Sequence, residues 1–158
     1  MSSQFTKYLE KDSVVVLEGK NKKEIIDELV AIAAVKSNLD TELIRELTWK
    51  REKMMTTGVG EGLALPHIRI DGIGTPVIIC GLCQSPVQDY NTPDGKPVQV
   101  VMYLMGSTSN QNIYLEILGS ISRKLRAPGI IEDILENITR PSQVMRILKR
   151  KVKSESEE

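Results

Sequence analysis

Histidine is almost missing from this sequence: there is one, His67, in 158 residues. Phenylalanine and tryptophan also occur once each, cysteine twice, and aromatic residues make up only 4% of the chain. So few rings exclude the stacking platform on which single-stranded nucleic acid is held. Net charge is absent too, with 21 Lys and Arg against 21 Asp and Glu, so no positive field draws the chain to nucleic acid or an anionic membrane. No apolar run approaches the roughly 20 residues that span a bilayer. The opening Met1-Ser2-Ser3-Gln4 has neither the basic nor the hydrophobic part of a secretory signal. These absences point to a cytoplasmic protein with no membrane insertion. One histidine and two cysteines are a thin ligand set, and neither a metal nor a cofactor is expected.

The two cysteines form Cys80-Gly81-Leu82-Cys83, formally a CxxC. A redox pair places its first thiol at a helix N-terminus. Here the flanks read as a buried strand that ends in a turn at residues 84–86. Residues three apart on a strand point to opposite faces, so two reduced, packed thiols are expected.

What the chain does have is the run Thr56-Thr57-Gly58-Val59-Gly60-Glu61-Gly62-Leu63-Ala64-Leu65-Pro66-His67, with Arg51 upstream. Glycines let a backbone turn tightly and bring amides close to an anion. An imidazole with a pKa near about 6.5 is largely neutral at pH 7 and can act as a nucleophile. The spacing GxGxG is not the dinucleotide fingerprint GxGxxG, and no GxxxxGK[ST] occurs. On residue chemistry alone, a phosphoryl or anion site at His67 stands beside the plainer reading of a surface or hydrogen-bonded histidine.

The segment from Arg51 to His67 resembles the active-site signature of the type 2 enzyme IIA domains of the bacterial sugar phosphotransferase system. This fructose–mannitol group includes the nitrogen-regulatory IIA proteins. The likeness continues in order: Asp94-Gly95-Lys96-Pro97-Val98 resembles the family's Asp-Gly-x-Pro-Val element, residues 110–125 its next loop and helix, and 141–148 its last helix. It spans residues 5–152, leaving 153–158 as a disordered acidic tail.

Coarse periodicity gives one α/β domain of about the size that buries a real core. A strand is expected at 13–17, and then a helix capped by Asn21, with Glu24 completing a capping box. Its stripe is Ile25, Ile26, Leu29, Val30, Ile32 and Ala33. Asp40 caps a second helix to about residue 52 that buries Leu43, Ile44 and Leu47 and carries Arg51 in its last turn. Strands at 76–82 and 98–105 follow. A helix then presents Leu115, Leu118, Ile121, Ser122 and Leu125, and Pro128-Gly129 breaks it before two short helices at 130–137 and 142–151. The resemblance implies a mixed sheet flanked by helices on both sides.

The resemblance also implies a mechanism. His67 accepts a phosphoryl group from the histidine-containing phosphocarrier protein through a loose transition state. Arg51, the amides of Gly58, Gly60 and Gly62, and the hydroxyl of Thr56 or Thr57 would hold the phosphoryl oxygens. Without the resemblance, Arg51 is simply a cation at a helix C-terminus. A carboxylate beside the phosphate would repel it, so Glu61 is assigned to a ring nitrogen, a partner surface or, preferentially, solvent. Many family members carry a second histidine near the first, and the alignment puts Tyr114 there. A phenol with a pKa near about 10 cannot become a cation at pH 7, which points to slow onward transfer. Together with the lack of an attached IIB, permease or DNA-binding segment in the sequence, Tyr114 favours a free-standing nitrogen-regulatory IIA acting on a regulatory target. The alternative is a sugar-transport IIA that donates to a separate IIB component.

Overall fold

The four residues Val14–Leu17 form β1, whose neighbour in the sheet is the long strand β5, Val77–Val87. The computed structural model describes residues 4–150, so the tail assigned to 153–158 lies outside the described residues. A six-stranded mixed sheet runs β1-β5-β6 (Val98–Ser107), with two short strands along the far side of β6, β3 (Leu63–Ala64) and β4 (His67–Ile70), and β2 (Gly58–Gly60) paired to the outer edge of β3. Two apolar clusters cover its faces. Helices α1 (Lys22–Ser37) and α2 (Thr41–Met54) lie on one face; α3 (Gln111–Arg126), α4 (Ile130–Glu136) and α5 (Pro141–Lys149) lie on the other. This is the expected mixed sheet with helices on both sides.

Local chemistry accounts for the helix ends. Asn21 Oδ1 accepts from Glu24 N at 2.9 Å, and Asp40 Oδ2 accepts from Leu43 N at 3.2 Å, each satisfying an otherwise orphaned amide. The box at Asn21 closes one residue early, because the Glu24 carboxylate accepts from Lys20 N rather than from the cap's own amide.

Three expectations are corrected. In α2 the buried positions are Ile44, Thr48 and Glu52, whereas Leu43 is 42% exposed. Thr48 is satisfied by the Ile44 carbonyl and by Tyr103 Oη at 2.8 Å, so the buried stripe is partly polar and a hydrophobic period misses its phase. In α3 the buried stripe is Tyr114, Ile117, Ser120, Ile121, Lys124 and Leu125, while Leu115 is half exposed. The helix is rotated from the expected face, which turns Tyr114 inward. The strand expected to stop at residue 82 continues to Val87, with a register shift against β6 between Leu82 and Val87. Cys80 and Cys83 sit in β5 as free, buried thiols in opposite clusters, and burial pushes both pKa values up to about 12.

The strands β3 and β4 keep a single register against β6. Leu63 and Ala64 pair in parallel with Val100 and Val101, and after a gap His67 pairs with Leu104 and Ile68 with Met105. The gap is Leu65-Pro66. Proline has no N–H to give a ladder, although its carbonyl still accepts from Leu104 N at 3.0 Å. Leu65 N turns instead to Thr57 O at 2.9 Å.

Candidate functional site around His67

Along β4, side chains alternate. Ile68 and Ile70 are buried in the α1–α2 cluster, leaving His67 half-buried and Arg69 exposed on the other face. The Leu65 carbonyl points away from β6, on the same side as the Leu65 N–H that bonds Thr57, and His67 Nδ1 lies 2.6 Å from its oxygen. A carbonyl only accepts, so the neutral ring must carry its proton on Nδ1. Nε2 then keeps its lone pair.

Burial is the main influence on the imidazole's protonation and holds its pKa below the usual histidine value. The Arg51 guanidinium pushes the same way, against the Leu65 carbonyl and Glu52. The ring is therefore neutral at pH 7 with a free Nε2, the state a nucleophile requires.

The Tyr114 ring lies beside it, with centroids 6.3 Å apart and planes tilted by 46°. Tyr114 reaches this position because Asn110 caps the start of α3 and because β6 has Gly106 beneath the ring. A Cβ on Gly106 would stand 2.5 Å from Tyr114 Cδ1, so a side chain there would displace the tyrosine. Burial raises the phenol's pKa to about 12, against the opposing pull of Arg69 and Arg51. The tyrosine stays protonated and can donate but not ionise.

Arg51 stands in the last turn of α2, half-buried, and its Nη1 donates to the Met55 carbonyl at 2.7 Å. That contact satisfies the helix end. It uses one of the five N–H donors of the guanidinium, leaving the others for an anion.

The hydroxyls of Thr56 and Thr57 are engaged within the protein. Thr56 Oγ1 donates to Asn91 O at 2.7 Å. The buried Thr57 hydroxyl donates to Glu52 and bonds Tyr90 Oη at 2.6 Å. Glu52 itself is almost fully buried and pairs with Lys22 Nζ at 3.0 Å, and that ammonium lies 4.3 Å from the Tyr90 ring centre. The network fixes Thr57, and the bond from Leu65 N to Thr57 O passes that order to the residue that orients His67.

Gly58, Gly60 and Gly62 lie on the β2–β3 hairpin, packed against residues 91–97. A Cβ on Gly58 would run into the Asn91 carbonyl, and Gly60 and Gly62 have φ of 99° and 81°. Asp94 clips the hairpin tip, accepting from Glu61 N at 2.8 Å, while the exposed Glu61 carboxylate meets Lys96 Nζ at 3.2 Å. Glu61 thus turns to a surface ion pair. Arg69 is absent from the sequence reading. Its guanidinium carbon lies 5.7 Å from the Tyr114 ring centre, and it shares a face with His67 only because residues 67–70 form a strand, which the sequence does not mark.

Residues 7–151 match the family model described as "Phosphoenolpyruvate-dependent sugar phosphotransferase system, EIIA 2". The chain belongs to this family. It is accordingly a phosphoryl carrier of that system. Among its relatives is the PTS system fructose-specific EIIABC component of Bacillus subtilis, 31% identical over 135 residues, or 84% of this chain and 21% of that protein's length. A nitrogen regulatory protein of Pseudomonas aeruginosa is 31% identical over 114 residues, covering 72% of this chain and 73% of the relative. The crystal structure of nitrogen regulatory protein IIA-Ntr from Neisseria meningitidis superposes with a TM-score of 0.79 at 26% identity, covering 90% of this chain and 97% of that one. Among the described residues, no helix is long and apolar enough to cross a membrane.

Proposed function

We propose that His67 Nε2 carries the phosphoryl group, taken from a histidine-containing phosphocarrier protein, and that the chain serves as a nitrogen-regulatory-type IIA in the cytoplasm. The observation that carries this reading is the 2.6 Å contact between His67 Nδ1 and the Leu65 carbonyl. In the transfer, the Nε2 lone pair forms a bond to phosphorus as the donor's P–N bond breaks. That bond's electron pair returns to the donor imidazole. The Nδ1 proton stays on the acceptor ring, where the Leu65 carbonyl stabilises the positive charge that develops.

Arg51, whose charge is felt at the His67 ring, supplies charge of opposite sign to the phosphoryl oxygens. Thr56, Thr57, Gly58, Gly60 and Gly62 serve the site through the hairpin backbone, which holds Leu65 by its bond to the Thr57 carbonyl. Tyr114, where many relatives of this type carry histidine, gives a site with one imidazole and a neutral donor. It lends itself to holding a phosphate more than to passing it on quickly, which favours a regulatory target over a IIB component as the next partner.

Incubation with phosphoenolpyruvate, enzyme I and the phosphocarrier protein should add one acid-labile, base-stable phosphate, mapped to His67. Phosphate on serine, or none with an active donor chain, would refute the assignment.

A further inference from the structure

We propose that Arg69 is a second guanidinium ligand for the phosphoryl group on His67, held in place by the face of the Tyr114 ring. The proposal rests on the reading of His67 as the phosphoryl carrier.

Three observations support it. Residues 67 and 69 share one face of β4, so both side chains leave the sheet toward α3, and Tyr114 is the side chain that both meet. The guanidinium carbon lies over the ring, 5.7 Å from its centre, within the range at which a cation is drawn to the ring's negative face. That attraction favours a guanidinium held on the His67 side of the strand. Finally, the charge is uncommitted. Among the described residues Arg69, like Arg51, makes no ion pair, whereas Arg45 and Arg150 do. An exposed arginine kept beside a nucleophile, anchored on an aromatic face and lacking a carboxylate, suits a transient dianion.

The arrangement also gives the departure at residue 114 a positive purpose. A second histidine would supply positive charge only when protonated. A tyrosine in its place supplies none, but it offers a platform for a guanidinium that is charged at every working pH. The phosphoryl group would then lie between Arg51, from the end of α2, and Arg69, from β4, with the phenol as a neutral donor at its side.

The test uses phosphoramidate, a small donor that needs no protein docking surface, alongside the phosphocarrier protein. With phosphoramidate, Arg69→Ala should accept phosphate about tenfold more slowly than the wild type, since it loses a charge-assisted contact. Arg69→Lys should fall between them, because it keeps the charge but loses the planar fork. In the phosphorylated proteins, the ³¹P titration of the phosphoryl group should move to higher pH in Arg69→Ala, a shift that a purely structural role would not produce. Tyr114→Leu should move it in the same direction by releasing the guanidinium. Equal phosphoramidate rates and superimposable ³¹P titrations for wild type and Arg69→Ala would overturn the proposal. So would a defect confined to the phosphocarrier protein, which would make Arg69 a docking contact. A wild type that takes no phosphate on His67 would overturn the carrier reading and this proposal together, whereas a phosphorylated wild type beside an unaffected variant overturns this proposal alone.

Discussion

Arg51→Ala separates the helix-end contact that this side chain makes from the phosphoryl contact proposed for it. Toward its own helix, the guanidinium satisfies the Met55 carbonyl at 2.7 Å, and a cation at an exposed helix C-terminus is worth about 0.3–1 kcal/mol. For a domain of this size that corresponds to a fall in Tm of roughly 1–4 °C. Toward a phosphoryl group, the loss is one charge-assisted hydrogen bond, about 1.5–3 kcal/mol. Expressed as rate, this is roughly 10- to 150-fold. The variant also loses a charge that depresses the His67 pKa, so its imidazole protonates more readily. Rates are therefore best compared at about pH 8, where a histidine near its ordinary pKa is neutral in both proteins. The assay follows incorporation by intact mass under a fixed, excess phosphocarrier donor, with Tm measured on the same samples. Wild-type rates at that pH, accompanied by a lowered Tm, would show that the guanidinium serves only the helix end.

Two further outcomes follow from the site's surroundings. Glu52→Leu removes a buried carboxylate from Lys22 and Thr57 and should cost about 3 kcal/mol, since breaking one side of a buried pair costs roughly 3–5 and Lys22 retains some access to water. Thermal denaturation should show a loss of roughly 6–12 °C that Lys22→Met/Glu52→Leu largely restores; a single variant melting with the wild type would refute the role given to the network. Because the chain has one histidine, its imidazole resonance in a pH titration by NMR is unambiguous and should have a midpoint below the ordinary value of about 6.5. The unfolded chain then binds more protons in that window, so His67 contributes stability above about pH 6.5 that is lost as pH falls through its folded midpoint; a midpoint at or above 6.5 would contradict the burial and Arg51 arguments.

The sequence exposes the parts of this fold that depend on neighbours in the chain. Asn21 and Asp40 cap helices because capping is a contact over three residues, and the β5 and β6 apolar runs are long enough to declare themselves. The phases of α2 and α3 were hidden for a different reason. Thr48, Glu52, Lys124 and Tyr114 are buried by partners far off in sequence, and a stripe counted in hydrophobic residues skips them. The strands around the signature were hidden by brevity and by the glycines and proline that interrupt them. At the site, His67 was legible as the only imidazole, and the family resemblance placed Tyr114 beside it. Arg69 was not, because nothing showed that residues 67–70 form a strand, and only a strand puts residues 67 and 69 on one side.

The shared register of β3 and β4 along β6 limits how a loaded carrier can be told from an empty one. A slip by one residue would drive Ile68 and Ile70 out of the core, so the backbone that bears the imidazole has no nearby second arrangement to adopt. Loading as proposed would put roughly two negative charges on the phosphoryl oxygens, partly offset by the ring that keeps its Nδ1 proton, and such charge is felt over only about 8 Å at physiological salt. Every protein that must distinguish the two forms is then obliged to stand on the same few residues around His67. A donor, a recipient and any listener would then compete for one footprint, each answered only while the others are away.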